Sequence, residues 1–117
     1  MINIYGSSRY KINKKGLKKF AQSVLDRYQI GKIANVNIAL VGKRKMIELA
    51  SKYKDENVAL PVLSFSYYQD KTTSDNTLGE VVICYPQAVI LAAQREKRVD
   101  QMFNTLVEHG IQNLFTK

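Results

Sequence analysis

RVDQMFNTLVEHGIQNLFTK, residues 98–117, is the stretch from which the fold is read. Val99, Phe103, Leu106, Val107, Gly110 and Leu114 recur at steps of three and four residues. They therefore share one face of a helix, and that face is expected to be the central buried one. Gly110 sits in mid-helix, where glycine costs about 1 kcal/mol relative to alanine. Its presence predicts a close approach by another part of the backbone. The single histidine of the chain, His109, immediately precedes it.

Working back from that helix, Pro86 opens a helix to about Arg95, with Val89, Ile90 and Ala93 expected inside. Residues 78–84 (LGEVVIC) are nearly continuous in apolar side chains after Glu80 and read as a strand. Residues 62–67 (VLSFSY) form another strand behind Pro61, a residue tolerated at a strand start. The segment between them, QDKTTSDNT at 69–77, is polar and loop-like.

In 36–41 (VNIALV), Val36, Ile38 and Leu40 fall on one strand face and Ala39 and Val41 on the other. Residues 14–28 carry Leu17, Phe20, Ala21, Val24, Leu25 and Tyr28 at amphipathic helical spacing, and Gly31 closes that region. Residues 43–53 form a helix with Met46, Leu49, Ala50 and Tyr53 inward, followed by a loop at 54–57. Residues 2–5 make a short first strand ahead of the turn cluster Gly6-Ser7-Ser8. The predicted order is β-α-β-α-β-β-α-α: one α+β domain over 1–117, with helices packed on a four-stranded mixed sheet.

A chain of 117 residues is one domain by length, and 45% hydrophobic residues suffice for a packed core. No apolar run reaches the roughly 18 residues of a membrane span, and the N-terminus lacks the pattern of a secretory leader, so a cytoplasmic protein without a membrane is expected. The lone Cys84 excludes an internal disulfide and fits a reducing compartment. The net charge of +8 attracts polyanions, chiefly nucleic acid. Lys14, Lys15, Lys18 and Lys19 crowd the first turns of a helix, where cations oppose the macrodipole by a few tenths of a kcal/mol each. Local stability does not favour them there; a phosphate-facing surface does, and a solvated lysine face is the plain alternative. Lys43, Arg44 and Lys45 repeat the pattern.

Four collinear segments resemble the YbeY family of bacterial rRNA maturation factors and single-strand-specific endoribonucleases. They are Glu48-Leu49-Ala50-Ser51-Lys52-Tyr53-Lys54, Pro61-Val62-Leu63-Ser64-Phe65-Ser66, Leu78-Gly79-Glu80-Val81-Val82-Ile83 and Leu106-Val107-Glu108-His109-Gly110-Ile111-Gln112-Asn113-Leu114. The resemblance implies a four-stranded sheet with a metalloprotease-like central helix near the C-terminus. It also implies a zinc ion held by three histidines with a water in the open position. Two histidines one helical turn apart face the same ion, and the metal lowers the pKa of its water to about 7.

Here His109 matches the first ligand and Asn113 occupies the second; the third falls beyond Lys117, which makes the domain C-terminally short relative to the family. An amide is a poor zinc ligand. Lys54 stands where the family has Arg, keeping the charge but losing the two-pronged grip on phosphate. Leu60-Pro61 replaces Thr-Asp, and Glu80 replaces Asp.

The resemblance implies hydrolysis of phosphodiesters in single-stranded, 16S-type rRNA at the small ribosomal subunit, with Lys54 and Ser64 as catalytic candidates and His109 as the remaining metal ligand. The alternative is an RNA- or ribosome-binding protein without the metal site. Lys14, Lys15, Lys18, Lys43, Arg44, Lys45 and Lys54 are the expected RNA contacts. Cys84 is read as a core residue, Glu108 as turned about 100° from His109 on the helix, and Tyr67 and Tyr68 as possible base-stacking side chains.

Overall fold

The continuous apolar runs in 38–41 and 81–84 call for a sheet covered on both sides, and a computed structural model, describing residues 2–28, 35–66 and 77–115, has one. The elements are β1 (Ile2–Tyr5), α1 (Lys14–Arg27), β2 (Asn35–Val41), α2 (Lys43–Lys54), β3 (Val62–Ser66), β4 (Thr77–Cys84), α3 (Tyr85–Gln94) and α4 (Val99–Phe115). Their order is the predicted one. The sheet runs β1-β2-β4-β3: the first three strands are parallel and β3 lies antiparallel to β4 at the edge.

The larger core lies on the face covered by α1, α3 and α4, where Val36, Ile38, Leu40, Val81 and Ile83 meet Leu25, Phe103, Val107 and Ile111. The smaller core, Met46, Leu63, Val82 and Cys84, lies under α2 on the other face, with Ala39, Val41 and Phe65 packed against it. Side-chain alternation thus sends the even and odd residues of β2 and β4 to different helices. Burial pushes the Cys84 thiol up from its ordinary value, consistent with a core residue. No helix among the described residues is long and apolar enough to cross a membrane.

In α4 the predicted face is buried, joined by Met102 and Ile111, while Val99 is only partly covered. The face of α3 differs from expectation. Ala88 and Ala92 are buried, whereas Ile90 is 48% exposed and Ala93 lies outside. The helix begins directly after Cys84, without a loop, so Tyr85 sets its phase. The Tyr85 ring stacks on Tyr10 at 4.6 Å and tilts against Phe103 at 5.5 Å, and its hydroxyl donates to the Lys11 carbonyl at 2.9 Å. Residues three and seven positions later then face the sheet, and both are alanine. The chain leaves α3 through Glu96 at φ 53, with Lys97 N–H donating to the Ala92 carbonyl at 2.8 Å, a helix-ending turn in which the left-handed residue is not glycine.

The tight approach predicted at Gly110 is real, but side chains make it. A Cβ there would lie 2.5 Å from Val81 Cγ1 and 3.3 Å from Ser64 Oγ. The Ser64 hydroxyl donates to the Gly110 carbonyl at 2.9 Å. Gly110→Ala gains helix propensity, about 1 kcal/mol, but forces overpacking that typically costs about 1–3 kcal/mol. A lower urea midpoint with an unchanged m-value is expected; a variant at least as stable as the parent would show that Val81 yields freely.

Candidate functional site

α2 ends at Lys54 because Asp55 adopts the left-handed conformation, φ 54, tolerated by an aspartate, and the Glu56 N–H donates back to the Ala50 carbonyl at 3.2 Å. This turn sets the Lys54 ammonium at the mouth of two adjoining clefts along β3, the edge strand. The first, about 540 Å³, lies on the α2 side of the sheet. Its walls are Leu49, Tyr53 and Lys54, and its floor is Leu63, Phe65 and Glu80, with Ser64 and Ser66 along the rim. The second, about 450 Å³, is bordered by Lys54, Glu56, Leu60, Val62, Ser64 and, from α4, Asn113. Lys54, Leu63 and Ser64 belong to both.

Strand register explains the partition. Ser64 lies opposite Val81 and both face α4; Phe65 lies opposite Glu80 and both face α2. The Tyr53 ring meets Phe65 edge-on at 4.9 Å, and Lys52 Nζ stands 5.4 Å from the same ring. Tyr53 was expected to point inward, yet it is 55% exposed and walls the cleft.

His109 is exposed on α4, one turn before Asn113 and on the same side of the helix. Glu108 turns away as expected: its carboxylate accepts from Arg27 Nη1 on α1 at 2.7 Å. Cys84 is on the opposite face of the sheet from α4. Among the described residues, no three His, Cys, Asp or Glu side chains come together. One imidazole with an amide a turn away does not fit a tetrahedral, three-histidine zinc site. Ser64, a catalytic candidate from sequence, lines both clefts. Its single proton is given to the Gly110 carbonyl, so donating to a phosphate requires that bond to break.

The structure splits the expected RNA contacts in two. Lys54 stands at the clefts. Lys14 and Lys15 open α1, with Lys18 one turn on, and Lys43, Arg44 and Lys45 open α2; all are exposed. Both helix starts lie at the carboxyl ends of the parallel strands, joined by Tyr10, which stacks on Tyr85 and brings its hydroxyl to Gly42. Neither helix has an acidic residue in its first turn, and α2 has no side-chain cap. α2 separates this basic end from Lys54 by about 17 Å, at 1.5 Å per residue. Tyr67 and Tyr68 lie outside the described residues.

Two cleft residues were not singled out from sequence: Tyr53, read as core, and Glu80, read only as an exchange for Asp. The available signal for Glu80 was a charge at the head of an otherwise buried apolar strand.

A family model described as Endoribonuclease YbeY matches residues 3–115. The chain is 33% identical over 79 residues to the endoribonuclease YbeY of Thermodesulfovibrio yellowstonii, covering 68% of this chain and 50% of that protein. It is 27% identical over 120 residues to that of Thermobifida fusca, covering 97% and 77%. The chain thus spans about half the length of the first of these relatives. A solution structure of a Thermotoga maritima protein superposes with a TM-score of 0.67 at 22% identity, over 100% of this chain and 73% of that one, a likeness of fold. With this match running from β1 to the end of α4, the chain belongs to the YbeY family.

Proposed function

We propose that this protein acts in rRNA maturation in the cytoplasm, taking single-stranded rRNA of the small ribosomal subunit into the clefts along β3. The observation that carries this reading is the placement of an exposed cation, Lys54, at the junction of two clefts beside an exposed aromatic ring. Unpaired bases need flat apolar surface and the backbone needs positive charge; both are met within one trough. The second basic group, Lys14, Lys15, Lys18, Lys43, Arg44 and Lys45, lies one helix length away and holds a flanking stretch of the same strand through its phosphates. In this reading Lys54 orients the phosphodiester, and Ser64 contributes by holding β3 against α4.

Whether the bound strand is also hydrolysed is decided by the donors around His109. Asn113 favours a second reading, in which the RNA is held without metal-dependent cleavage. Protein purified without a tag is expected to carry well under one zinc per chain and to bind single-stranded rRNA equally well with and without chelator. One zinc per chain, with cleavage that a chelator abolishes, would instead establish the hydrolase. Asn113→His, which places two imidazoles a turn apart on α4, is expected to tighten zinc binding measurably.

The charge argument has its own test. Affinity for a single-stranded RNA should fall linearly with salt on logarithmic axes. Lys54→Ala, and each alanine replacement in the basic end, should reduce the slope by about 0.7. A flat dependence in the parent protein excludes a phosphate-binding surface.

A further inference from the structure

The cleft under α2 holds one feature that a phosphate-binding groove does not call for: the Glu80 carboxylate on its floor. Glu80 is half-buried and, among the described residues, has no ion-pair or hydrogen-bond partner. It disfavours a phosphate beside it, and the phosphate is drawn to Lys54 at the mouth instead. What a carboxylate without a partner among the described residues accepts well is N–H. In unpaired RNA the Watson–Crick edges of the bases are free to supply it.

Resting on the reading of these clefts as an RNA site, we infer that this cleft is a nucleobase subsite selective for guanine. Glu80 reads the base edge, Tyr53 supplies the stacking surface and Lys54 receives the phosphate. The residues are contiguous. Glu80 lies directly across from Phe65 in the β3–β4 ladder, and the Phe65 ring meets Tyr53 at 4.9 Å. A base laid against the exposed Tyr53 thus brings its edge toward the cleft floor.

Guanine fits best because N1–H and the exocyclic N2–H are adjacent and parallel, matched to the two oxygens of one carboxylate. Adenine and cytosine offer one amino group beside an acceptor nitrogen. Uracil offers one N–H between two carbonyls, which the carboxylate repels. A good bidentate pair discriminates between bases by about tenfold or more, and aromatic stacking adds affinity without choosing among them.

The test compares an eleven-nucleotide oligouridine with the same strand carrying one central guanosine, by fluorescence anisotropy on the full chain. About tenfold tighter binding of the guanosine strand is expected. In Glu80→Gln, nearly the same shape, the preference should shrink to about twofold while oligouridine binding holds or improves. Tyr53→Ala should weaken both strands by about tenfold. Equal binding of the two strands by the parent overturns the guanine subsite and leaves the RNA-binding reading standing. No binding of either strand overturns both. If Glu80→Gln does not fold, the parent's preference for guanosine monophosphate over uridine monophosphate decides the question without it.

Discussion

The contact on which the arrangement depends is the one at Gly110. Val81 presses into the space where a side chain would be, and the Ser64 hydroxyl holds the helix carbonyl at 2.9 Å. Both partners come from neighbouring positions of the β3–β4 ladder. The last helix is therefore fixed in rotation and height against the sheet edge. That rotation carries Asn113 to the border of a cleft and leaves His109 exposed beside it, while Glu108 reaches α1 and Arg27. The close approach at one glycine thus helps to set which side chains of α4 face the trough along β3. A similar approach occurs at Gly79, whose missing Cβ leaves room for the Phe65 carbonyl and, at 2.6 Å, for Leu114 Cδ2. The two glycines together let the helix lie against the ladder at its open edge.

Much of this was legible in the residues. Alternation in β2 assigned Val36, Ile38 and Leu40 to one core and Ala39 and Val41 to the other, because strand geometry leaves no other choice. The α1 stripe was equally plain, since Leu17, Ala21, Val24 and Leu25 are buried together. The α3 face was not, because its ten residues are apolar nearly all round and carry little periodicity. Its phase follows from Tyr85 wedged among Tyr10 and Phe103, partners brought from distant parts of the chain. Tyr53 misled for a related reason. Helical spacing places it with Met46 and Ala50, but it sits past the end of the smaller core, beside the edge strand β3, where Phe65 and Lys52 leave the ring 55% exposed.

Charge is distributed along the molecule in a way that the linear order hides. Lys14 and Lys43 are far apart in sequence, yet parallel connections return both helix starts to one end of the sheet. Lys54, eleven residues after Lys43, is carried to the other end by the length of α2. The same helix therefore separates two kinds of surface. One is a broad basic rim of exposed lysines and an arginine. The other is a cleft lined by a single cation, an aromatic ring and a carboxylate.

The surface positions of His109 and Asn113 are also intelligible in energetic terms. Where an ion organises a fold, losing a ligand unfolds the chain, because binding energy is folding energy. Nothing of that kind holds here. Both cores are complete without an ion, no polar or charged side chain is buried among the described residues, and none of their buried side-chain polar atoms lacks a partner. His109 and Asn113 both lie on the surface of α4, where exchanging an imidazole for an amide disturbs little. Neither side chain thus belongs to either core. The trough, its cation and its aromatic wall are held by β3, α2 and the Gly110 contact, none of which involves a metal ligand. A trough held in this way can accordingly stay in place while the side chains at positions 109 and 113 change.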